Sequence, residues 1–221
     1  MITVTAFAWV PPLAEGLVRD LRVRWALEEA GLAYQERLIA RGEQDTPAYR
    51  AVQPFGQVPV FEEDGLTLFE SGAIVLHIGE RSEALLPKDT FARARAVQWV
   101  FAALNSIEPF VQNLALIDHF YANDEWAKLR RPGALRLLER RLDALTARLA
   151  DHPYLDSNQF TAGDLLMTTV LRFLRHTDLV EKRPTLHVFK QRCEDRPAFQ
   201  RALADQLAAF AKNAPPPGAA A

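Results

Sequence analysis

Ile2 and Val4 alternate with Thr3 and Thr5 in a β-branched run, which predicts a first strand over residues 2–7. The period then changes. Leu17, Leu21, Trp25 and Ala26 recur at helical spacing, which predicts a helix over 17–30 with Arg19, Arg22 and Glu29 on its solvent face. Gly31 is placed for a left-handed C-cap. Between strand and helix, residues 9–16 hold two prolines and a glycine and read as a loop, long for such a connection.

Tyr34, Leu38 and Ile39 support a second strand over 33–40. Thr46-Pro47 then offers an N-cap and first-turn pair for a short helix ending near Val52. After a turn at Gln53-Pro54-Phe55-Gly56, strands over 58–61 and 66–69 flank Asp64-Gly65, a strong hairpin signal. Ser71 is expected to N-cap a helix from Gly72 to about Glu80, with Ile74, Val75 and Ile78 inward. The order over the first eighty or so residues is β-α-β-α-β-β-α.

Beyond Pro87 every expected element is helical: 93–120, 126–149, 162–175, and 185–210 broken near Pro197. Leu135, Leu138, Leu142, Leu145 and Leu149 step by three and four with Arg136, Arg140, Arg141 and Arg148 between them, one apolar stripe with a solvated basic face. This shift in composition divides the chain into an α/β domain at 1–82, a linker at 83–90 and an all-helical domain at 91–212. The proline-rich end at 213–221 is expected to be disordered.

Of the 221 residues, 49% are hydrophobic and 24% charged, with a net charge of -2, which excludes disordered and coiled-coil classes and argues against a dedicated nucleic-acid binder. The lone cysteine, Cys193, is expected to be a buried or incidental thiol. The five histidines show no metal-ligand spacing with it or each other, so no metal is expected. Prolines or charges are expected to interrupt every apolar run well short of a membrane span, and with no basic leader the protein reads as cytoplasmic.

Candidate chemistry gathers in Gln57-Val58-Pro59-Val60-Phe61 and Phe69-Glu70-Ser71-Gly72-Ala73-Ile74. Pro59 lacks an amide and keeps Val58 extended, leaving the Val58 N–H and C=O for an outside peptide. Ser71 at a helix N-terminus can hold a carboxylate with its hydroxyl and amide, and Glu70 can accept from an ammonium. Together they describe a ligand with a peptide backbone, an α-amino group and an α-carboxylate.

Those two segments resemble the glutathione-binding core of the glutathione S-transferase family. Val23-Arg24-Trp25-Ala26-Leu27-Glu28-Glu29-Ala30-Gly31, Phe160-Thr161-Ala162-Gly163-Asp164 and Arg196-Pro197-Ala198-Phe199 extend the resemblance to about residue 212. It implies a thioredoxin-like N-terminal domain, an all-helical C-terminal domain, a homodimer, and glutathione in a cleft between the domains as co-substrate for an apolar electrophile. It further implies that Val58 pairs with the cysteinyl part of glutathione beside a cis Pro59, that Glu70 and Ser71 hold the γ-glutamyl end, and that Thr161 and Asp164 form a capping box without a catalytic role.

The chain departs from the family in one respect. A thiol of ordinary pKa ~8.5 needs help to ionise at neutral pH. Most members supply a Ser, Tyr or Cys near the start of the first helix, where this chain has Gly16 or Leu17, and no Ser, Thr, Tyr or Cys stands between Phe7 and Trp25. No catalytic residue is thereby identified. Backbone amides at the helix start, Arg19 or Arg22, and Asn105, Ser106 or Tyr121 are the alternatives. The loop at 8–16, with Trp9 and Leu13, is a candidate wall for an electrophile pocket together with Trp99 and Phe120. The leading expectation is a glutathione transferase. The competing ones are a non-catalytic glutathione-binding or scaffold protein, and an isomerase or dehalogenase using the same thiol.

Overall fold

A computed structural model describes residues 1–150, 152–156 and 158–216. Two compact units form, one from Met1–Ser82 with the chain from Arg196 onward, the other from Glu83–Asp195.

The first unit is built on strands β1 (Ile2–Phe7), β2 (Tyr34–Ile39), β3 (Val60–Glu63) and β4 (Leu66–Leu68). Their order is β2-β1-β3-β4, with β1 parallel to β2 and the other two pairings antiparallel. Ile2, Val4 and Ala6 of β1 are buried as the alternation demands, and Thr5 on the other face is buried too, because both faces of the central strand are covered. At the β3–β4 turn Asp64 and Gly65 have φ of 48° and 88°, the left-handed pair that a two-residue hairpin requires. Strand β3 starts two residues later than the pattern suggested, at Val60.

Helices α1 (Asp20–Ala30), α2 (Pro47–Arg50) and α3 (Ser71–Gly79) complete the β-α-β-α-β-β-α order. Gly31 takes the left-handed cap with φ 65°, and the Thr46 hydroxyl accepts from the Tyr49 amide as the N-cap of α2. α1 begins at Asp20 rather than 17, after a turn in which the Leu17 amide donates to the Ala14 carbonyl. Every residue from Asp20 to Leu27 is buried, so the one-faced amphipathic reading of α1 does not hold. Arg22, placed on a solvent face by that reading, is 2% exposed. The reason is that α1 packs against β1 and α3 and also against α9 (Pro197–Lys212).

The α1–α9 contact brings Trp25 edge-on to Phe199 at 4.8 Å and pairs Arg196 with Glu29 through two bonds of 2.6 and 2.7 Å. Gln206 Nε2 donates to Asp20 at 2.8 Å. Burial pushes the Asp20 carboxyl up from its ordinary value, against the pull of Arg24. Arg24 donates to Asp20 at 2.7 Å and also meets Glu36. α9 therefore packs as part of the sheet unit, whereas the composition shift grouped it with the helices of 91–212. Within the stretch expected to be disordered, Asn213 closes α9 by donating from its amide and side chain to the Ala209 carbonyl, and residues 217–221 lie outside the described residues.

The second unit is helical: α4 (Thr90–Phe101), a π-helical turn (Ala102–Ile107), α5 (Glu108–Phe120), α6 (Glu125–Leu149), α7 (Ala162–Arg172) and α8 (Pro184–Glu194). The leucine stripe of α6 faces inward at Leu138, Leu142, Leu145 and Leu149, while Arg136, Arg140 and Arg141 are exposed. The run Thr90–Phe120 is, by length and composition, apolar enough to cross a membrane, contrary to the expectation that every apolar run is cut short. Its burial has a simpler source, since α4 packs on α7 and α5 on α6 within this unit. At the start of α7 the capping box is complete, with Asp164 accepting from the Thr161 amide at 2.8 Å and hydroxyl at 2.9 Å and from the Leu155 amide at 2.8 Å. Cys193 is buried in α8.

Candidate functional site

The segment leading into β3 is shaped by its turn residues. Gln53 is buried and its side-chain oxygen accepts from the Phe55 amide at 2.7 Å, Gly56 has φ 63°, and the Tyr49 hydroxyl donates to the Gln57 carbonyl at 2.8 Å. Val58 follows, 6% exposed, and its peptide bond to Pro59 is cis. The β1–β3 register starts with Thr5 opposite Val60, so the late start of β3 leaves the Val58 backbone outside the ladder. A peptide could pair with it there, which a strand beginning at Val58 would have prevented.

Helix α3 begins one residue earlier than expected. Its N-cap is Glu70, not Ser71, and Glu70 holds φ 70° and ψ 109° while its side chain makes no capping hydrogen bond. A non-glycine residue with positive φ costs of order 1–3 kcal/mol. That conformation reverses the chain between β4 and α3, leaving the Glu70 side chain exposed and setting Ser71 as the first helical residue. Ser71 is 4% exposed, and Arg22 Nη1 donates to its Oγ at 3.2 Å.

Three features therefore meet at the α3 N-terminus: the positive end of a nine-residue helix, a buried hydroxyl, and a buried guanidinium behind that hydroxyl. An anion is the natural complement. The exposed Glu70 carboxylate beside it suits a cation, so the pair reads as a seat for an amino-acid head group. Periodicity missed Arg22, but the spacing of Val18, Arg22 and Ala26 at successive steps of four carried the signal, because the flanking two are apolar.

The other candidates fall as follows. Arg19 is partly exposed and N-caps α1 without a side-chain capping bond. Asn105 and Ser106 are exposed on the π-helical turn, and Tyr121 is 43% exposed after α5. Trp9 and Leu13 lie in the first unit, Leu13 on a 3₁₀ turn (Pro12–Ala14), and Trp99 and Phe120 lie in the second. Among the described residues no group of three or more His, Cys, Asp or Glu side chains gathers as a metal site. A cavity of about 530 Å³ opens by β2 and α9, lined by residues such as Tyr34, Glu36, Asp205 and Lys212, and includes none of Val58, Pro59, Glu70 and Ser71.

The family model for the glutathione S-transferase N-terminal domain matches residues 13–80, and that for the C-terminal domain matches residues 119–197. Glutathione S-transferase 4 of Zea mays is 30% identical over 203 residues, covering 81% of this chain and 85% of that protein. A probable maleylacetoacetate isomerase 2 of Drosophila melanogaster is 30% identical over 191 residues, covering 82% of this chain and 81% of its own length. Among solved structures, a glutathione transferase family member from Pseudomonas fluorescens with two glutathione bound superposes with a TM-score of 0.81 at 22% identity, covering 91% of this chain and 92% of that one. The cis peptide before β3, the buried Ser71 hydroxyl at the start of α3 and the helical second unit thus occur in a chain that belongs to the glutathione S-transferase family.

Proposed function

We propose that this chain binds glutathione in its first unit and transfers the thiolate to an apolar electrophile. In this reading the Val58 backbone pairs with the cysteinyl residue, the Ser71 hydroxyl and the first α3 amides hold the γ-glutamyl α-carboxylate, and Glu70 accepts from the α-ammonium. The observation that supports it is the Arg22–Ser71 bond at the N-terminus of α3, which puts a buried guanidinium and hydroxyl beside an exposed carboxylate. The reaction is attack of the bound sulfur on an electrophilic carbon, with departure of a leaving group or protonation of the adduct.

Glutathione titrations by calorimetry, and conjugation to an aryl halide, test this reading. Wild type should bind and conjugate, and Ser71→Ala and Glu70→Ala should weaken both; equal behaviour of all three proteins would refute it. Thiol ionisation is assigned here to the backbone amides that open α1. A thiolate absorbance titration of the complex checks this: an upward shift in Asn105→Ala, Ser106→Ala or Tyr121→Phe would move the role to that side chain.

The similarity to the Drosophila protein favours a second reading, glutathione-dependent isomerisation. The thiolate adds to a conjugated double bond, the resulting single bond rotates, and the thiolate leaves again. Turnover of a cis-dicarbonyl alkene without consumption of glutathione would select it over conjugation. A homodimer and a cytoplasmic location complete the proposal, to be checked by sedimentation and by fractionation.

A further inference from the structure

Two arginines on α1, two residues apart, are both buried. Arg24 meets the carboxylates of Asp20 and Glu36, and one bond of Arg22, 2% exposed, is a donation from Nη1 to the hydroxyl of Ser71. A guanidinium donates and never accepts, and it stays charged at any pH the fold survives. The Ser71 oxygen therefore uses a lone pair on Arg22, and its single hydrogen must point away from Arg22. A hydroxyl constrained in this way is a donor toward whatever occupies the α3 N-terminus. It is also a donor polarised by a cation behind it.

We propose that Arg22 is a positioning residue for substrate binding: it fixes the Ser71 hydroxyl as a donor to the γ-glutamyl α-carboxylate and adds its charge behind that bond, acting through Ser71. The inference rests on the glutathione reading above. In this reading Arg22 acts at the head-group end of the ligand, through its bond to Ser71. The effect should fall on the affinity for one carboxylate and leave the sulfur alone.

The test compares glutathione with 4-aminobutanoyl-Cys-Gly, the same thiol lacking only that carboxylate. Both are titrated into wild type, Arg22→Lys and Arg22→Met, with steady-state conjugation measured across pH. Arg22→Met should weaken glutathione about tenfold or more, through KM and not kcat, while changing affinity for the analogue by less than about twofold. Arg22→Lys, keeping a charge but not the fork, should recover part of the loss. The pH profile of kcat should not move.

Equal weakening of both ligands, unchanged glutathione affinity, or a shifted pH profile would each overturn the proposal. Should Arg22→Met not fold, the cycle of Arg22→Lys with Ser71→Ala decides the matter. If Arg22 acts through Ser71, the lysine change has no further effect on glutathione affinity once the hydroxyl is gone, and additive losses refute it. Failure of the glutathione reading itself is distinguishable, because wild type would then not discriminate glutathione from its analogue at all.

Discussion

Helices α3 and α7 begin in opposite ways. At α7 the chain fills its own cap, since the Asp164 carboxylate accepts from the Thr161 amide, the Thr161 hydroxyl and the Leu155 amide, and is fully buried. At α3 the residue in the capping position is Glu70, held at φ 70° with its side chain uncommitted to the helix, and the neighbouring hydroxyl is backed by a cation. One N-terminus is closed by a covalently attached anion and serves folding. The other, in the reading proposed above, receives an anion from outside. On that reading a helix end serves a ligand where the chain keeps its own carboxylate off the first amides and fixes a donor beside them.

That contrast can be broken by substitution, and the largest effect is expected at α7. Asp164→Ala strips the partner from three donors and should cost about 4 kcal/mol of unfolding free energy in denaturant titrations. Titration of the same group comes next. Burial, against the pull of its hydrogen bonds, pushes the Asp164 carboxyl from its ordinary value of 3.8 to about 6. The native state thus holds this proton more tightly than the unfolded chain, so the stability owed to Asp164 is full below about pH 4 and is lost as pH rises through about 6. Measured against Asp164→Asn, the decline should total about 3 kcal/mol across that window.

Gly163, inside the first turn of α7, has no room for a side chain, because a Cβ there would stand 2.4 Å from Trp99 Cβ. Gly163→Ala should therefore cost about 2 kcal/mol in the same assay. At α3 the balance reverses. Ser71→Ala should lower stability by only about 1 kcal/mol yet weaken glutathione more than tenfold by calorimetry. The smallest effect sharpens the comparison most: Glu70→Gly relieves the positive φ and should raise stability by up to about 1 kcal/mol while weakening glutathione. A stabilised protein with undiminished affinity would remove Glu70 from the seat.

The α7 cap was legible in the sequence and the α3 seat only partly so, for a physical reason. Thr161-Ala162-Gly163-Asp164 is a local device whose partners lie three residues apart, and the hairpin at Asp64-Gly65 is likewise determined by two adjacent residues. The seat depends on Arg22 and Ser71, 49 positions apart, and on a glutamate in a conformation that no residue preference assigns to glutamate. Reading α1 as amphipathic assumed a single covered face, and α9 supplies a second one through contacts that periodicity does not encode. The π-helical turn at Ala102–Ile107 was equally invisible, since its pattern passes for one uninterrupted helix.

The docking of α9 on α1 has a consequence for the order in which the protein can be finished. Glu29 and Arg196 are 167 positions apart, and Asp20 and Gln206 are 186 apart. As the polypeptide leaves the ribosome, the sheet emerges well before α9, so Trp25 and Asp20 wait for their cover while the intervening helices are made. Contacts closing so long a loop are slow to form. A product released short of α9 would expose the tryptophan and the buried carboxylate together.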